Sequence, residues 1–451
     1  MKQVTDKIEL FESMPIRRAA MTLIVPTVIS QLVMLVYNMA DTWFIGQTGD
    51  PYQVAAVTVT YPLFMLLYVI SNLFGIGGSL ISRMLGNGER ERTGNLASFI
   101  LWSSGAAVVA LGVILLSFDG KILLLLGTDA KSLPYAQQYL FWTIVVGGLP
   151  TVWNLVLAGI IRAEGEARIA SIGMSLGGIL NLVMDPIFIF ALKMGVSGAA
   201  LSTCVSNTIS LLFLIGYSVM HRADCLVKIS LFPRQLRSIR TREVYLIGTP
   251  AALQILLAAI SNAVLVWLMS GYAVAAISGM GVMQKVESIP FQAIMGISDG
   301  ILPLIAYNYA SGNRERMQQA VRFALLCGAV CACACFGLFE IAAPMLVQFF
   351  IADAQSVMFG AAFVRLRILA LPFITVEFML IAVFQSVGGA RQAFLLSVFR
   401  KGILDLPLMI AANILLPMYG LMLIQPLMEC MGCFLALWLY RRLQQRMKSR
   451  T

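Results

Sequence analysis

Long apolar segments separated by short polar ones follow one another along the whole chain. A helix needs about 20 mostly apolar residues to cross the hydrocarbon core of a bilayer. Twelve segments reach this length, and their approximate limits are 19–44, 54–82, 96–117, 135–161, 168–192, 196–220, 244–270, 275–308, 319–343, 358–384, 393–416 and 420–440. The pattern predicts an all-α membrane protein with twelve transmembrane helices, numbered here span one to span twelve. It leaves no room for a soluble catalytic domain.

The amino-acid composition fits this prediction. Of the 451 residues, 59% are hydrophobic and only 12% are charged, and the mean hydropathy is +0.85. Soluble globular chains carry about 25% charged residues. The first apolar segment is longer than the core of a signal peptide and no small-residue cleavage pattern follows it, so we interpret it as a retained spanning helix.

The distribution of Lys and Arg predicts the orientation in the membrane. An even number of spans places both chain ends on one side, and most of the basic residues lie on that side. The loops on the opposite side carry only Lys121, Lys131 and Lys193. Because basic residues are retained in the cytoplasm, we expect a protein of the cytoplasmic (inner) membrane with both termini inside. The net charge of +10 is then an orientation signal, and no nucleic-acid partner is expected.

The chain also resembles itself at a shift of 224 residues. The matching landmarks are Pro26 with Pro250, Asn38 with Asn262, Glu91-Arg92 with Glu315-Arg316, and GILN at 178–181 with GILD at 402–405. Six helices per half make the halves parallel repeats, the arrangement of two transporter lobes around a central cavity. The predicted divisions are an N-terminal arm (1–18), a lobe (19–220), a basic linker (221–243), a second lobe (244–440) and a basic tail (441–451).

One stretch of span five, NLVMDPIFIF at 181–190, places a carboxylate among apolar residues. A charged side chain at mid-membrane costs about 2.5 to 3.5 kcal/mol on insertion scales and commonly marks an ion path. Asp185 and Asn181 are four residues apart and share one helix face. Pro186 has no amide hydrogen and displaces the carbonyl of Leu182, leaving that oxygen for a cation or water. The alternative is a buried polar pair that bonds a neighbouring helix.

Two other spans of the first half carry polar stripes. In span one Gln31, Asn38 and Asp41 follow a spacing of seven and three, which aligns them on one face. In span six Thr203 and Asn207 are placed in the same way. Such residues line a cavity or only bond neighbouring helices, and the spacing does not decide between these two roles.

The second half carries fewer interpretable polar groups. The candidates for the cavity or substrate site are Gln254, Asn262, Gln284, Glu287 and Glu377. Asp299, Asp405 and Glu429 are expected to be ion-paired or near an interface. The prolines expected to shape conformational change are Pro26, Pro186, Pro250 and Pro290, since a proline inside a helix removes a backbone hydrogen bond.

No catalytic or metal-binding motif is visible in the sequence. The only histidine, His221, lies at a helix end, and neither a two-histidine metal motif nor a Ser/His pair is present. We therefore expect no enzyme activity, no organic cofactor and no metal other than Na⁺ as a transported ion.

Several motifs, in order along the chain, resemble the multidrug and toxic compound extrusion (MATE) family. They are YNMADTWFIGQTG at 37–49, RAEGEARIA at 162–170, NLVMDPIFIFALKMGVSGAALST at 181–203, GILPLIAYNYASGNRERM at 300–317 and QSVGGARQAFLLSVFRKGI at 385–403. The resemblance implies a twelve-helix antiporter that exports organic, often cationic and lipophilic compounds in exchange for inward H⁺ or Na⁺. In prokaryotic members the coupling ion binds in the N-terminal lobe, and the corresponding residues here are Asp41, Asn181, Asp185 and Thr203.

The chain departs from part of the family pattern. Some members carry a carboxylate in span seven, where this chain has only Gln254 and Asn262, and another in span ten, near Glu377.

A flippase for lipid-linked precursors, a channel and an intramembrane enzyme remain as alternative functions. We expect a monomer whose partners are small organic substrates and membrane lipid.

Overall fold

Every regular element in the described part of the chain is a helix, which confirms the predicted all-α class. The computed structural model describes residues 2–75, 77–126, 128–222, 225–228 and 241–448. Most of the predicted basic linker, including residues 229–240, lies outside the described residues.

The spans of the first half begin and end within four residues of their predicted limits, except span three, which begins six residues earlier and ends eight residues later. Span one is Ile16–Gly46, span two is Pro51–Gly75 with Gly77–Gly86, span three is Arg90–Leu125, span four is Leu133–Leu140, Phe141–Val146 and Gly148–Ala163, span five is Ala167–Pro186 with Ile187–Ala191, and span six is Gly195–Met220.

The second half repeats this arrangement. Span seven is Thr241–Met269, span eight is Val274–Ala310, span nine is Arg314–Gln348, span ten is Ala354–Ile368 with Leu371–Ser386, span eleven is Ala390–Val398, Phe399–Ile403 and Asp405–Leu415, and span twelve is Tyr419–Lys448. Among the described residues, nine helices are long and apolar enough to cross a membrane, and spans four and ten add two if each bent pair counts as one. Span eleven is shorter and interrupted.

The four prolines singled out in the sequence do not coincide with the sharpest breaks. Breaks above 40° occur in span four (44°) and span ten (47°). Pro26, Pro250 and Pro290 lie inside helices that continue past them, whereas Pro186 is the last residue of its α-helix. At Pro186 the irregularity is a π-helical turn, Ile187–Ala191, rather than a sharp bend, because the wider turn accommodates the lost backbone bond without breaking the helix axis.

Glycines bring the two halves into backbone contact near the side that carries the chain ends, called here the basic face. A Cβ atom built on Gly296 of span eight would lie 2.6 Å from the Val28 Cα of span one. On the other side of the molecule, a Cβ atom on Gly248 of span seven would lie 1.8 Å from the Leu73 carbonyl oxygen of span two. Spans one and eight, and spans two and seven, therefore meet as two equivalent pairs that only glycine permits to pack so closely.

Toward the opposite face the same helices separate. Span one has buried side chains up to Ser30 and none among residues 31–44. Span seven is buried at residues 250–252, and beyond them its only buried residues are Ser261, Leu265 and Met269. The lobes are therefore closed at the basic face and leave a cleft that opens toward the opposite face.

A short helix, Lys2–Glu12, covers the closed end. The Phe11 ring is fully buried and stacks on Tyr307 of span eight, with 4.7 Å between the ring centroids. Lys7 pairs with Glu166 before span five at 3.3 Å, and the Arg316 Nε atom of span nine donates to the Phe11 carbonyl at 2.6 Å. This helix contacts both halves of the chain.

The glycine contact between spans one and eight predicts a specific loss of stability. Gly296→Ala would force the Cβ atom against the Val28 backbone, and overpacking typically costs about 1 to 3 kcal/mol, more than the gain of about 1 kcal/mol in helix propensity. We expect a lower melting temperature for the purified protein. Gly281→Ala is the matched control, since among the described residues nothing lies within 4 Å of a Cβ atom in that position of the same helix. Equal melting temperatures for the two variants would contradict the close contact.

Candidate functional site

Small residues in span five bring three helices together around its polar side chains. A Cβ atom on Gly178 would lie 2.8 Å from the Tyr37 ring of span one. A Cβ atom on Gly177 would lie 3.1 Å from the Ser210 Cβ atom of span six. The glycine pair therefore lets spans one and six approach span five on neighbouring faces, one turn before Asn181.

The side chains beyond this contact form a buried hydrogen-bond cluster. The Asn181 amide nitrogen, which carries two hydrogens, lies within hydrogen-bond distance of three acceptors: Asp185 Oδ1 at 3.2 Å, Ser202 Oγ at 2.9 Å and Thr203 Oγ1 at 3.2 Å. The Ser202 hydroxyl also donates to Asp185 Oδ1. Asp185 is 0% exposed. The structure thus brings together three of the four residues that the resemblance assigned to ion coupling, with Ser202 as an additional member.

Three acceptor oxygens at this place have no hydrogen-bond donor among the described residues. They are Asp41 Oδ1, Asn181 Oδ1 and Asp185 Oδ2. Asp41 follows Tyr37 by one helical turn and Asp185 follows Gly178 by two, so both carboxylates lie beyond the Tyr37–Gly178 contact between spans one and five. Carboxylate and amide oxygens are suitable ligands for a hard cation, and a membrane-embedded carboxylate also carries protons. The cluster, named here the N-lobe site (Asp41, Asn181, Asp185, Ser202 and Thr203), is chemically fit for either ion.

The other polar residues predicted in the first half surround this site without joining it. Asn207 donates to Thr151 at 3.2 Å and accepts from Asn154 at 3.4 Å. The Asn38 amide donates to the carbonyl of residue 34 in its own helix at 2.8 Å. Gln31 donates to Asp299 Oδ2 of span eight at 3.2 Å, a hydrogen bond between the two halves. Each of these residues has a structural partner.

Ser202 is a member of the site that the sequence does not reveal. It precedes Thr203, and a serine inside an apolar helix most often bonds its own backbone. The sequence signal for Ser202 is its position next to another acceptor: two of the oxygen atoms around the Asn181 amide belong to adjacent residues of span six. A hydrogen-bonded serine at this position needs the packing of two helices, which single-chain periodicity does not provide.

The second half contains a cavity of about 320 Å³ between spans seven, eight, ten, eleven and twelve. Asn262, Gln284 and Glu287, three of the residues singled out in the sequence, line it. The Gln284 amide donates to Asn262 Oδ1 at 2.7 Å. Gln254 is half-buried and does not line this cavity. We name the space the C-lobe cavity.

Glu377 is placed differently from the prediction. It is 0% exposed and stands behind the cavity wall, where its Oε1 atom lies 3.4 Å from the Arg400 Nε atom. Arg400 also pairs with Glu429 at 2.9 Å. The Glu377 side chain therefore belongs to a buried ion-pair network. It does not face the cavity, because Arg400 lies between Glu377 and the cavity.

Arg400 and Lys401 are functional candidates that the sequence analysis does not identify. Both line the C-lobe cavity, together with Asp405, and both are nearly buried, at 4% and 8% exposure. The signal is visible in FRKGILD at 399–405, three charges within an apolar span. Only their pairing in space shows that these charges are tolerated there. Asp405 is ion-paired with Lys401 and Glu429 with Arg400, as expected.

Comparison with known proteins gives relatives along the whole chain. The multidrug export protein MepA of Staphylococcus haemolyticus (strain JCSC1435) is 29% identical over 444 residues, covering 98% of this chain and 97% of that protein. A crystal structure of MATE in the straight conformation superimposes with a TM-score of 0.91 at 24% identity, over 98% of this chain and 99% of that chain. A point mutant of the Vibrio cholerae MATE transporter VcmN superimposes with a TM-score of 0.88 at 18% identity, over 99% of both chains.

The superpositions show the twelve-helix, two-lobed fold. The sequence profile of the family described as MatE matches the chain twice, at residues 26–187 and 250–410. The two matches begin 224 residues apart, the shift at which the sequence resembles itself. Together they span more than half of the protein, and the chain therefore belongs to the MatE family.

Proposed function

We propose that the protein is a secondary active antiporter that exports organic, mainly cationic and lipophilic compounds in exchange for inward H⁺ or Na⁺. Export of multiple drugs is what the name of the staphylococcal relative describes. The observation that supports ion coupling is the set of three acceptor oxygens without donors, among the described residues, in the N-lobe site. Each unpaired buried acceptor costs free energy, and a bound cation or proton removes that cost.

The shape of the molecule fits alternating access. The lobes are closed by the glycine contacts at the basic face and separate toward the opposite face, so an ion from that side reaches Asp41 in the outer half of span one. If the ion and the exported compound favour different states of the same lobe, entry of the ion drives release of the compound. The Gln31–Asp299 hydrogen bond, 3.2 Å long, joins the lobes in the observed state and has to break for the opposite one.

The chain is an integral membrane protein, and we infer its orientation from the basic residues. Retention of Lys and Arg in the cytoplasm places the basic face inside, with both termini, in the cytoplasmic membrane. The observed cleft then opens outward. We further infer a monomer that exchanges small molecules and contacts lipid, with neither nucleic acid nor an organic cofactor.

The competing functions receive less support from the charges. A flippase for anionic lipid-linked precursors requires an excess of cations around a large cavity. Arg400 and Lys401 raise the number of cations, yet each is paired with a carboxylate at 2.9 Å and 3.5 Å respectively. Within the described residues, the C-lobe cavity therefore has no excess positive charge to attract such a precursor.

Transport in liposomes distinguishes the remaining alternatives. Purified protein is reconstituted, and efflux of a cationic dye is followed under an imposed pH gradient and separately under a Na⁺ gradient. An antiporter moves dye against its gradient under at least one of them, and the effective gradient identifies the coupling ion. Ion conductance without dye efflux would instead indicate a channel and refute the proposal.

Neutralising the N-lobe carboxylates is expected to abolish coupling. Asp41→Asn and Asp185→Asn each keep the side-chain size but remove the charge that binds the ion, and we expect gradient-driven efflux to fall by at least about tenfold, or 1.4 kcal/mol. Removing a membrane-embedded charge should leave insertion and melting temperature unchanged or improved.

The matched control for these variants is Asp119→Asn. Its carboxylate lies at the end of span three and accepts from the Gln137 amide at 3.0 Å, far along the chain from the N-lobe site. Normal efflux is expected in this control. Normal efflux in both Asp41→Asn and Asp185→Asn, at wild-type expression, would eliminate the site assignment.

Pro186→Ala tests whether the irregular turn in span five contributes to transport. Alanine restores a backbone donor and favours a regular helix over Ile187–Ala191, so the melting temperature should be equal or higher. Efflux should fall, because the turn follows Asp185 directly and we expect it to rearrange when the ion binds there. Unchanged turnover and ion dependence would reduce the proline to a packing feature.

A further inference from the structure

The C-lobe cavity has walls of alternating charge sign. Among the described residues, its charged lining consists of the cations Arg367, Arg400 and Lys401 and the carboxylates Glu287, Asp405 and Glu429. Its volume of about 320 Å³ is sufficient for a small organic molecule. The lining charges sum to zero when all six groups are ionised.

The charges form three pairs of unequal strength. The Arg367 guanidinium contacts Glu287 Oε2 at 3.0 Å. Arg400 contacts Glu429 at 2.9 Å and also lies 3.4 Å from Glu377 behind the wall. These two arginines are held firmly, because a guanidinium offers several donors in a fixed geometry.

The third pair is the most readily opened. The Lys401 ammonium lies 3.5 Å from Asp405 Oδ2, and its hydrogen bond at 2.8 Å goes to a neutral acceptor, Gln425 Oε1. Lysine has a flexible stem and three rotatable donors. Asp405 has a second partner, the Ser261 hydroxyl. Lys401 can therefore turn toward a ligand without leaving Asp405 bare.

The backbone at this pair is irregular as well. Lys401 lies in the π-helical turn Phe399–Ile403, and a new helix begins at Asp405. π-helical turns are rare in proteins overall, and those that occur are often found at functional sites. The cation and the carboxylate lie four residues apart on the cavity wall, and the apolar side chains of Phe291 and Met409 line the same cavity.

Because the charged side chains of the cavity wall are paired, the cavity distinguishes ligands by the charges that they carry. A ligand with only a positive charge has to displace Lys401 from Asp405 and leaves the lysine near a second cation. A ligand that carries both a carboxylate and a cationic group inserts into the pair, so that each of the four charges keeps an opposite neighbour. Since leaving a desolvated charge unpaired is the largest cost in such a site, the paired wall favours zwitterions.

We infer that the C-lobe cavity is a binding site for organic zwitterions, with the ligand carboxylate on Lys401 and the ligand cation on Asp405. This inference rests on the proposed export function for its physiological meaning, and it extends the exported compounds beyond simple cations. The site is separate from the N-lobe site, whose residues lie on spans one, five and six.

A matched pair of dyes tests the inference by binding alone. Rhodamine B carries a xanthylium cation and a free carboxylate, whereas its ethyl ester keeps the cation and lacks the negative charge. We expect the purified wild-type protein to bind rhodamine B about tenfold more tightly than the ester, measured by fluorescence polarisation at low ionic strength. Lys401→Gln should weaken rhodamine B by about tenfold and leave the affinity for the ester within error.

Two further variants keep the test decisive. Lys401→Arg retains the cation and should restore the preference for the zwitterion, which a merely structural role would not predict. This variant also provides a test if Lys401→Gln fails to fold. Lys285→Gln is the matched control, since this exposed lysine of span eight does not line the cavity. It should leave both affinities unchanged.

Equal affinities of the two dyes for the wild type would overturn the inference, and so would a preference that survives in Lys401→Gln. The binding measurement uses no ion gradient, so its outcome is independent of antiport. If Asp185→Asn exports normally while the Lys401 variants behave as expected, the coupling proposal fails and the zwitterion site stands.

Discussion

A charged or polar side chain inside a bilayer needs a partner, and the two lobes of this protein meet that need in different ways. In the C-terminal lobe the charges lining the cavity are matched in pairs at 2.9 to 3.5 Å. In the N-terminal lobe Asp41, Asn181 and Asp185 each retain an acceptor oxygen that lacks a donor within the described chain. Electrostatic satisfaction in the first case produces a site that is stable without a ligand. Incomplete satisfaction in the second leaves unpaired acceptors, whose free-energy cost a bound cation or proton would remove.

The repeat shows how these two solutions are related. Asn181 and Asp405 occupy equivalent positions at the shift of 224 residues, and so do Gly178 and Gly402. Both glycines face the first helix of their lobe, with Tyr37 and Leu257 as the nearest side chains. One ancestral helix arrangement thus holds an amide among hydroxyl and carboxylate groups in one lobe and a carboxylate among cations in the other. In the second lobe the carboxylate at this position is paired with Lys401 of the same helix, at 3.5 Å.

The fold and the N-lobe residues are accessible from the sequence because hydrophobic length and polar spacing are local properties. The span limits and the shared face of Asn181 and Asp185 follow from counting along one helix. The repeat follows from comparing the two halves of the sequence. The Ser202 hydrogen bonds and the position of Glu377 behind Arg400 depend on how two helices rotate against each other, which no single segment encodes. The charges of FRKGILD are hidden for the same reason, since an ion pair stabilises them only after spans ten, eleven and twelve have packed.

The helix Lys2–Glu12 also has a consequence for the order of assembly. It precedes both lobes along the chain, yet Phe11 packs on Tyr307 of span eight and accepts a hydrogen bond from Arg316 of span nine. These contacts do not exist until spans eight and nine have been made. Because the helix also pairs with Glu166 of the first half, its complete packing depends on both lobes.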